Sequence, residues 1–262
     1  MTVIDGSPRA RAGALVRATL SLSDAALRAS YVASVLRDAR IDALAQTLDV
    51  LCEDAEQAEE AAREALIAVV DALNVEGMDD VVMRLRQEAS GASLLALERL
   101  IRHPPQARSN APPRAPRLSN DGRSRPLTLG ERKSLARRPD RDTMQRLLSD
   151  PHPDVIRRCL RNPRMTEDDV VRLAAKRPGR GDVLAEIARS RWVHCPRVRL
   201  ALVLNPASPV EMTARIVGLL LRSELAMVSR SPAAQGGVRA LCLEHLARRP
   251  PASVKAQSQG ST

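Results

Sequence analysis

Apolar positions recur at helical spacing along most of the chain. Ile41, Leu44, Ala45, Leu48, Leu51 and Cys52 fall on one face of a helix. Ahead of them, Ser23-Asp24 can cap a helix carrying Leu27, Val32, Val35 and Leu36. Residues 55–73 predict a longer helix with Glu56, Glu59 and Glu60 near its start, where the helix dipole favours acids, and Gly77 breaks it. Helices over 78–89 and 92–102 follow, separated by Ser90-Gly91. Residues 1–12 are polar and predict a loose segment. Runs of alternating, β-branched residues are absent, so strands are not expected.

The second half, 127–250, has a different rhythm. Short apolar-periodic segments are each cut by a residue-plus-proline pair: Arg138-Pro139, Asp150-Pro151, Asn162-Pro163, Arg177-Pro178, Asn205-Pro206 and Ser231-Pro232. The first four of these prolines (139, 151, 163 and 178) are spaced by 12, 12 and 15 residues. Proline lacks a backbone donor and clashes with the preceding turn, so it ends a helix or opens the next. Asp150, Asn162 and Asn205 suit the position before it, because their side chains close an Asx turn. Helices of about ten residues result, and such helices are marginal alone.

Two copies of one pattern align. Pro153-x-Val155 leads to Asn162-Pro163, and Pro196-x-Val198 leads to Asn205-Pro206, an offset of 43 residues. Capping-box arrangements follow at Thr166-x-x-Asp169 and Ser208-x-x-Glu211, with a third at Thr128-x-x-Glu131. Val170, Leu173 and Ala174 in one copy correspond to Thr213, Ile216 and Val217 in the other. Units this short must bury their apolar faces on one another, which is the logic of a solenoid. The string P-x-x-V-R-x-x-L-x-x-N-P, approximated by 153–163 and 196–206, resembles the HEAT-like and leucine-rich-repeat-variant superhelical family. The resemblance covers about 120 residues. It implies an α-solenoid fold and says little of function. Some leucine-rich-repeat-variant proteins hold an iron–sulfur cluster on cysteines grouped before the repeats. Here the cysteines are dispersed, so that property is not carried over.

Between the halves, 103–126 holds six prolines, scattered Arg and almost no apolar residue, and predicts a disordered Pro/Arg-rich linker. Residues 251–262 predict a polar tail. The core must be Leu, Val, Ala and Ile, because the 262 residues include no Phe, one Tyr (Tyr31) and one Trp (Trp192). Net charge is +10. It is uneven: residues 1–102 carry more acidic than basic side chains, and 103–262 the reverse. A basic half suggests an acidic partner: nucleic acid, an acidic protein, or the chain's own first half. Only Lys133, Lys176 and Lys255 are lysines, so the Arg richness is also what a GC-rich genome would produce. Cys52, Cys159, Cys195 and Cys242 do not form a disulfide framework. Neither a signal-peptide pattern nor a membrane-length apolar run is present, and a cytoplasmic protein is expected.

Candidate chemistry is sparse. His194-Cys195 and Cys242-x-x-His245 would supply two His and two Cys to a zinc ion if they converged, but no C-x-x-C exists. Cys159 aligns with Leu202 and so reads as a core position. Cys195 beside His194 would need to meet its base to be a nucleophile. Asp79-Asp80 and Asp168-Asp169 read as first-turn helix acids. With no catalytic, cofactor-binding or metal motif, an enzyme is not expected. Arg157, Arg158, Arg161, Arg164, Arg172 and Lys176 cluster in two adjacent segments, with Arg157/Arg161 and Arg172/Lys176 four apart. Trp192 reads as a plug at an irregular repeat or as an interface anchor.

The expected molecule is all-α. It has an acidic helical domain at 13–102 (a bundle or degenerate repeats), a linker at 103–126 and a basic HEAT-like solenoid at 127–250. The expected role is a scaffold or adaptor binding an acidic protein partner through Arg157, Arg161, Arg172, Lys176 and Trp192. The alternatives are sequence-independent nucleic-acid binding by the same surface, led by phosphate contacts, and shielding of the basic half by the acidic one.

Overall fold

The computed structural model describes residues 6–75, 77–102, 127–138 and 140–249. The linker expected at 103–126, the tail at 251–262 and Pro139 lie outside them. Among the described residues the chain is helical and has no strand, and no helix is long and apolar enough to cross a membrane. By contact, the described residues form two compact units. The first comprises 6–102, 214–231 and 236–249; the second comprises 127–213 and 232–235.

The first unit opens with α1 (Pro8–Leu20), α2 (Ala25–Asp38) and α3 (Ile41–Glu56). It continues through α4 (Glu60–Leu73), α5 (Asp79–Gly91) and α6 (Leu95–Ile101). Residues 8–12 are helical rather than loose. Pro8 sits in the first turn and the Ser7 hydroxyl accepts from the Ala10 N–H at 3.3 Å. Asp24 caps α2 by accepting from the N–H groups of Ala26 and Leu27 at 2.8 and 3.1 Å. Helix α3 is central and packs against α1, α4, α5 and α6. Its predicted stripe is the core: Leu44, Ala45, Leu48, Leu51 and Cys52 are all buried. Leu27, expected on the buried face of α2, is 56% exposed.

Two predicted boundaries move. The single helix expected over 55–73 is two helices, because Ala58 turns into the left-handed region at φ +65° between α3 and α4. The break expected at Ser90-Gly91 comes later. Helix α5 runs through Gly91, and Ser93 at φ +57° makes the turn. The next helix can start at Leu95 because Asp49 of α3 accepts from the N–H groups of Ala96 and Leu97, both at 2.9 Å. A cap supplied from another helix leaves no mark in the local sequence.

The second unit contains α7 (Leu129–Leu135), α8 (Arg141–Leu147), α9 (Pro153–Leu160), α10 (Glu167–Ala175) and α11 (Gly181–Ala188). A 3-10 turn (Arg191–His194) and α12 (Pro196–Leu204) follow. The capping boxes at Thr128/Glu131 and Thr166/Asp169 both form. Pro153 and Pro196 each sit in the first turn of a helix. Asp150, Asn162 and Asn205 close their turns onto the N–H groups of His152, Arg164 and Ala207 at 2.9, 2.9 and 3.0 Å. Helix α9 packs on α7 and on α11, and α10 packs on α12, so helices meet the next but one along the chain. Val155, Cys159, Val170, Ala174, Val198 and Leu202 are buried between them. Helix α13 (Val210–Val217) contains the division between the units, and α14 (Arg222–Arg230) and α15 (Gly236–Arg248) belong to the first. The predicted apolar positions Thr213, Ile216 and Val217 of α13 are buried.

Candidate binding surface

Most charged side chains of the second unit are used inside it. Arg132 of α7 grips the buried Asp150 at 2.5–2.6 Å, and Lys133 reaches Asp154 at 2.5 Å. Arg157 of α9 holds Glu186 of α11 with two prongs, at 2.6 and 3.0 Å. Along the other row, Arg141 of α8 clamps Asp169 of α10 at 2.5 and 2.8 Å, and Arg197 of α12 reaches Asp168 of α10 at 2.8 Å. Burial pushes the Asp169 carboxyl up, but the Arg141 fork and the Thr166 cap outweigh it and hold it below the usual range. The Lys133 ammonium likewise holds Asp154 down.

Amides complete the stitching. Asn162 Nδ2 donates to the carbonyls of Ala136 and Arg138 at 2.9 and 2.8 Å. Asn205 Nδ2 donates to those of Ala174 and Lys176 at 2.7 and 3.1 Å. Gln235 Nε2 does the same to Pro206 and Ser208 at 2.9 and 2.8 Å. Each amide bridges two carbonyls that stand two residues apart.

The five predicted interface residues therefore separate. Arg157 is committed to Glu186. Trp192 is half-buried in the 3-10 turn; its indole Nε1 donates to the Leu160 carbonyl at 2.9 Å, and the Arg191 guanidinium lies 4.9 Å above its ring. Lys176 is exposed at the end of α10, where its ammonium lies 3.4 Å from Ser149 Oγ. Arg161, at the end of α9, and Arg172, on α10, are exposed, and neither guanidinium has a partner among the described residues. Arg161 lies where the chain turns toward the start of α10; Arg172 and Lys176 lie toward its end. Glu186 was not anticipated from sequence. Its signal is a carboxylate inside the otherwise apolar run Val183, Leu184, Ala185, Ile187 and Ala188.

The other candidates divide between the units. His194 and Cys195 are in the second unit, and Cys242 and His245 in α15 of the first. Among the described residues no group of three or more His, Cys, Asp or Glu is placed to hold a metal ion. Burial raises every thiol, Cys159 and Cys242 to about 12, and Cys195 is raised by burial and then by Glu167. Neutral thiols are poor nucleophiles. Asp168-Asp169 and Asp79-Asp80 occupy the first turns of α10 and α5.

No family model matches this chain, and no curated protein or solved structure matches it either.

Proposed function

We propose that this chain is a non-catalytic scaffold or adaptor. In this reading the second unit is a HEAT-like α-solenoid segment whose basic face takes an acidic protein partner. Next-but-one helix packing and the recurring amide bridge support the repeat reading. The observation that carries the binding reading is the pair Arg161 and Arg172. The acids Asp150, Asp154, Asp169 and Glu186 are claimed by other cations, and these two exposed guanidiniums keep no counter-charge of their own. A carboxylate-bearing partner supplies it, with the fork geometry that favours arginine.

The test compares the full chain with an Arg161→Glu/Arg172→Glu variant. Fluorescence anisotropy is read with a labelled polyglutamate peptide and with a mixed-sequence DNA duplex, at two salt concentrations. The peptide should bind the native chain, and the double reversal should weaken it about tenfold, with no change in the melting curve. Equal binding by both proteins rejects this surface. Tight DNA binding with a steep salt slope and no peptide binding replaces the protein partner with a phosphate backbone.

A further inference from the structure

Charged groups tie the last two helices to the rest of the first unit. Helices α14 and α15 pack on each other, and Leu225, Val228, Val238, Leu241 and Cys242 are buried. Two arginines brace this segment from within. Arg222 donates to the Leu246 carbonyl at 2.8 Å, and Arg249 Nη2 to the Gly218 carbonyl at 2.7 Å. Among the described residues of 214–249, Leu219 alone enters the apolar cluster of α1 to α6. Polar groups join α15 to α3 and α6. Glu244 pairs with Arg102, at the end of α6, at 2.9 Å. His245 sets Nδ1 3.5 Å from Oε1 of Glu56, in the last turn of α3. Both oxygens of that carboxylate are already held by Arg99 of α6, at 2.8 and 2.6 Å. Glu56, Arg99, His245 and Arg249 are each less than one-tenth exposed. Neither ring nitrogen of His245 has a hydrogen-bond partner. A charged imidazole carries two N–H donors, and burying it without acceptors is costly.

We propose that the α14–α15 pair is an acid-released latch: protonation of His245 undocks it from α3 and α6 while α1 and α2 stay folded. In the docked state a charged imidazole stands as a third buried cation with Arg99 and Arg249, and Glu56, the carboxylate facing it, is taken by Arg99. Arg102 at the end of α6 and Arg248 of α15 add to the same field. Arg63 of α4 and Arg222 of α14 add to that at Arg249, and Glu244 is neutralised by Arg102. Burial, then the Arg249 and Arg99 charges, push the docked imidazole down to about 3. Undocked, the ring meets water and titrates at its ordinary value near 6.5. Below 6.5, and until about 3, only the undocked form takes up the proton. Each pH unit therefore shifts the balance toward it about tenfold. The braces from Arg222 and Arg249 lie within 214–249, so the two helices can leave together. Acid then uncovers the Glu56–Arg99 pair, and neutral pH covers it again.

Amide hydrogen exchange of the full chain, read by mass spectrometry from neutral pH down to 5 and corrected for the intrinsic pH dependence of exchange, tests the latch. The opening constant of α15 amides should rise about tenfold per pH unit below 6.5, and the last turn of α3 should follow it. Helices α1 and α2 should show no such rise. His245→Met should remove the slope. Glu244→Gln breaks the tie to Arg102, so it should loosen α15 at every pH and keep the slope, which assigns the proton to His245. If His245→Met does not fold, the native slopes and Glu244→Gln decide. A flat profile in α15, an equal rise in α1 and α2, an unchanged slope in His245→Met or a lost slope in Glu244→Gln overturns the proposal.

Discussion

A single carboxamide shows how one residue serves two distances. In Asn205 the side-chain oxygen closes the turn onto Ala207, two residues on, while its two amide hydrogens satisfy Ala174 and Lys176 far back in the chain. The first bond was legible as Asn-Pro; the others depend on where α10 ends. Replacing Asn205 with Ala removes three hydrogen bonds at a 1% exposed position and leaves helix-end carbonyls without donors. The expected cost is about 2–4 kcal/mol, read as a lower urea midpoint. Asn205→Asp should cost more, because it sets a carboxylate against two carbonyls. If both variants melt like the native chain, the bridge contributes nothing. Arginine plays a similar part. Arg215 donates to the Leu73 carbonyl and Asn74 Oδ1 at 2.9 and 2.6 Å, Arg177 to the Leu204 carbonyl at 2.8 Å and Arg86 to the Ile101 carbonyl at 2.9 Å. A forked guanidinium can close the open carbonyl end of a helix in a way a single ammonium cannot. Much of the Arg richness is thereby structural, whatever the genome's composition.

At the scale of elements, periodicity located the helices and missed their joints. The joints at Ala58 and Ser93 use ordinary residues in the left-handed region, where sequence signals point to Gly or Asn. Helix α15 carries the clearest consequence. Its His245 ordinarily titrates near 6.5; burial, then the Arg249 and Arg99 charges, push it to about 3 in the folded chain. The unfolded chain takes up a proton as pH falls through 6.5, and the folded chain refuses it until about 3. Stability from this group is complete above 6.5 and is lost as pH falls across that window, by up to about 1.4 kcal/mol per pH unit. In chloride buffer, His245→Met should flatten the fall in melting temperature between pH 6.5 and 5. A slope identical to that of the native chain would show that His245 is not the titrating group.

For the whole molecule, chain order and spatial grouping diverge. Residues 214–231 and 236–249 join the first unit. There Leu219 enters the core beside residues of α1 to α6, Arg215 caps the end of α4, and His245 meets Glu56. Their arginines balance the acids of α1 to α6, so the excess of positive charge lies in the second unit. A chain ending at residue 213 should therefore lose stability in a segment it still contains. Amide hydrogens of α3 and α6 should exchange faster than in the full chain; unchanged protection would mean those helices do not depend on 214–249. What the amino-acid order determined by itself is local: helical periodicity, proline and Asx turns, capping boxes and the absence of strands. Each of these depends on neighbours within a few residues. Tertiary structure alone decided that Arg157 belongs to Glu186, that Asp49 starts α6, and that the last two helices complete the first unit. Those contacts join residues about 30 to 190 positions apart, and nothing in a local pattern of apolar and polar residues selects one distant partner over another.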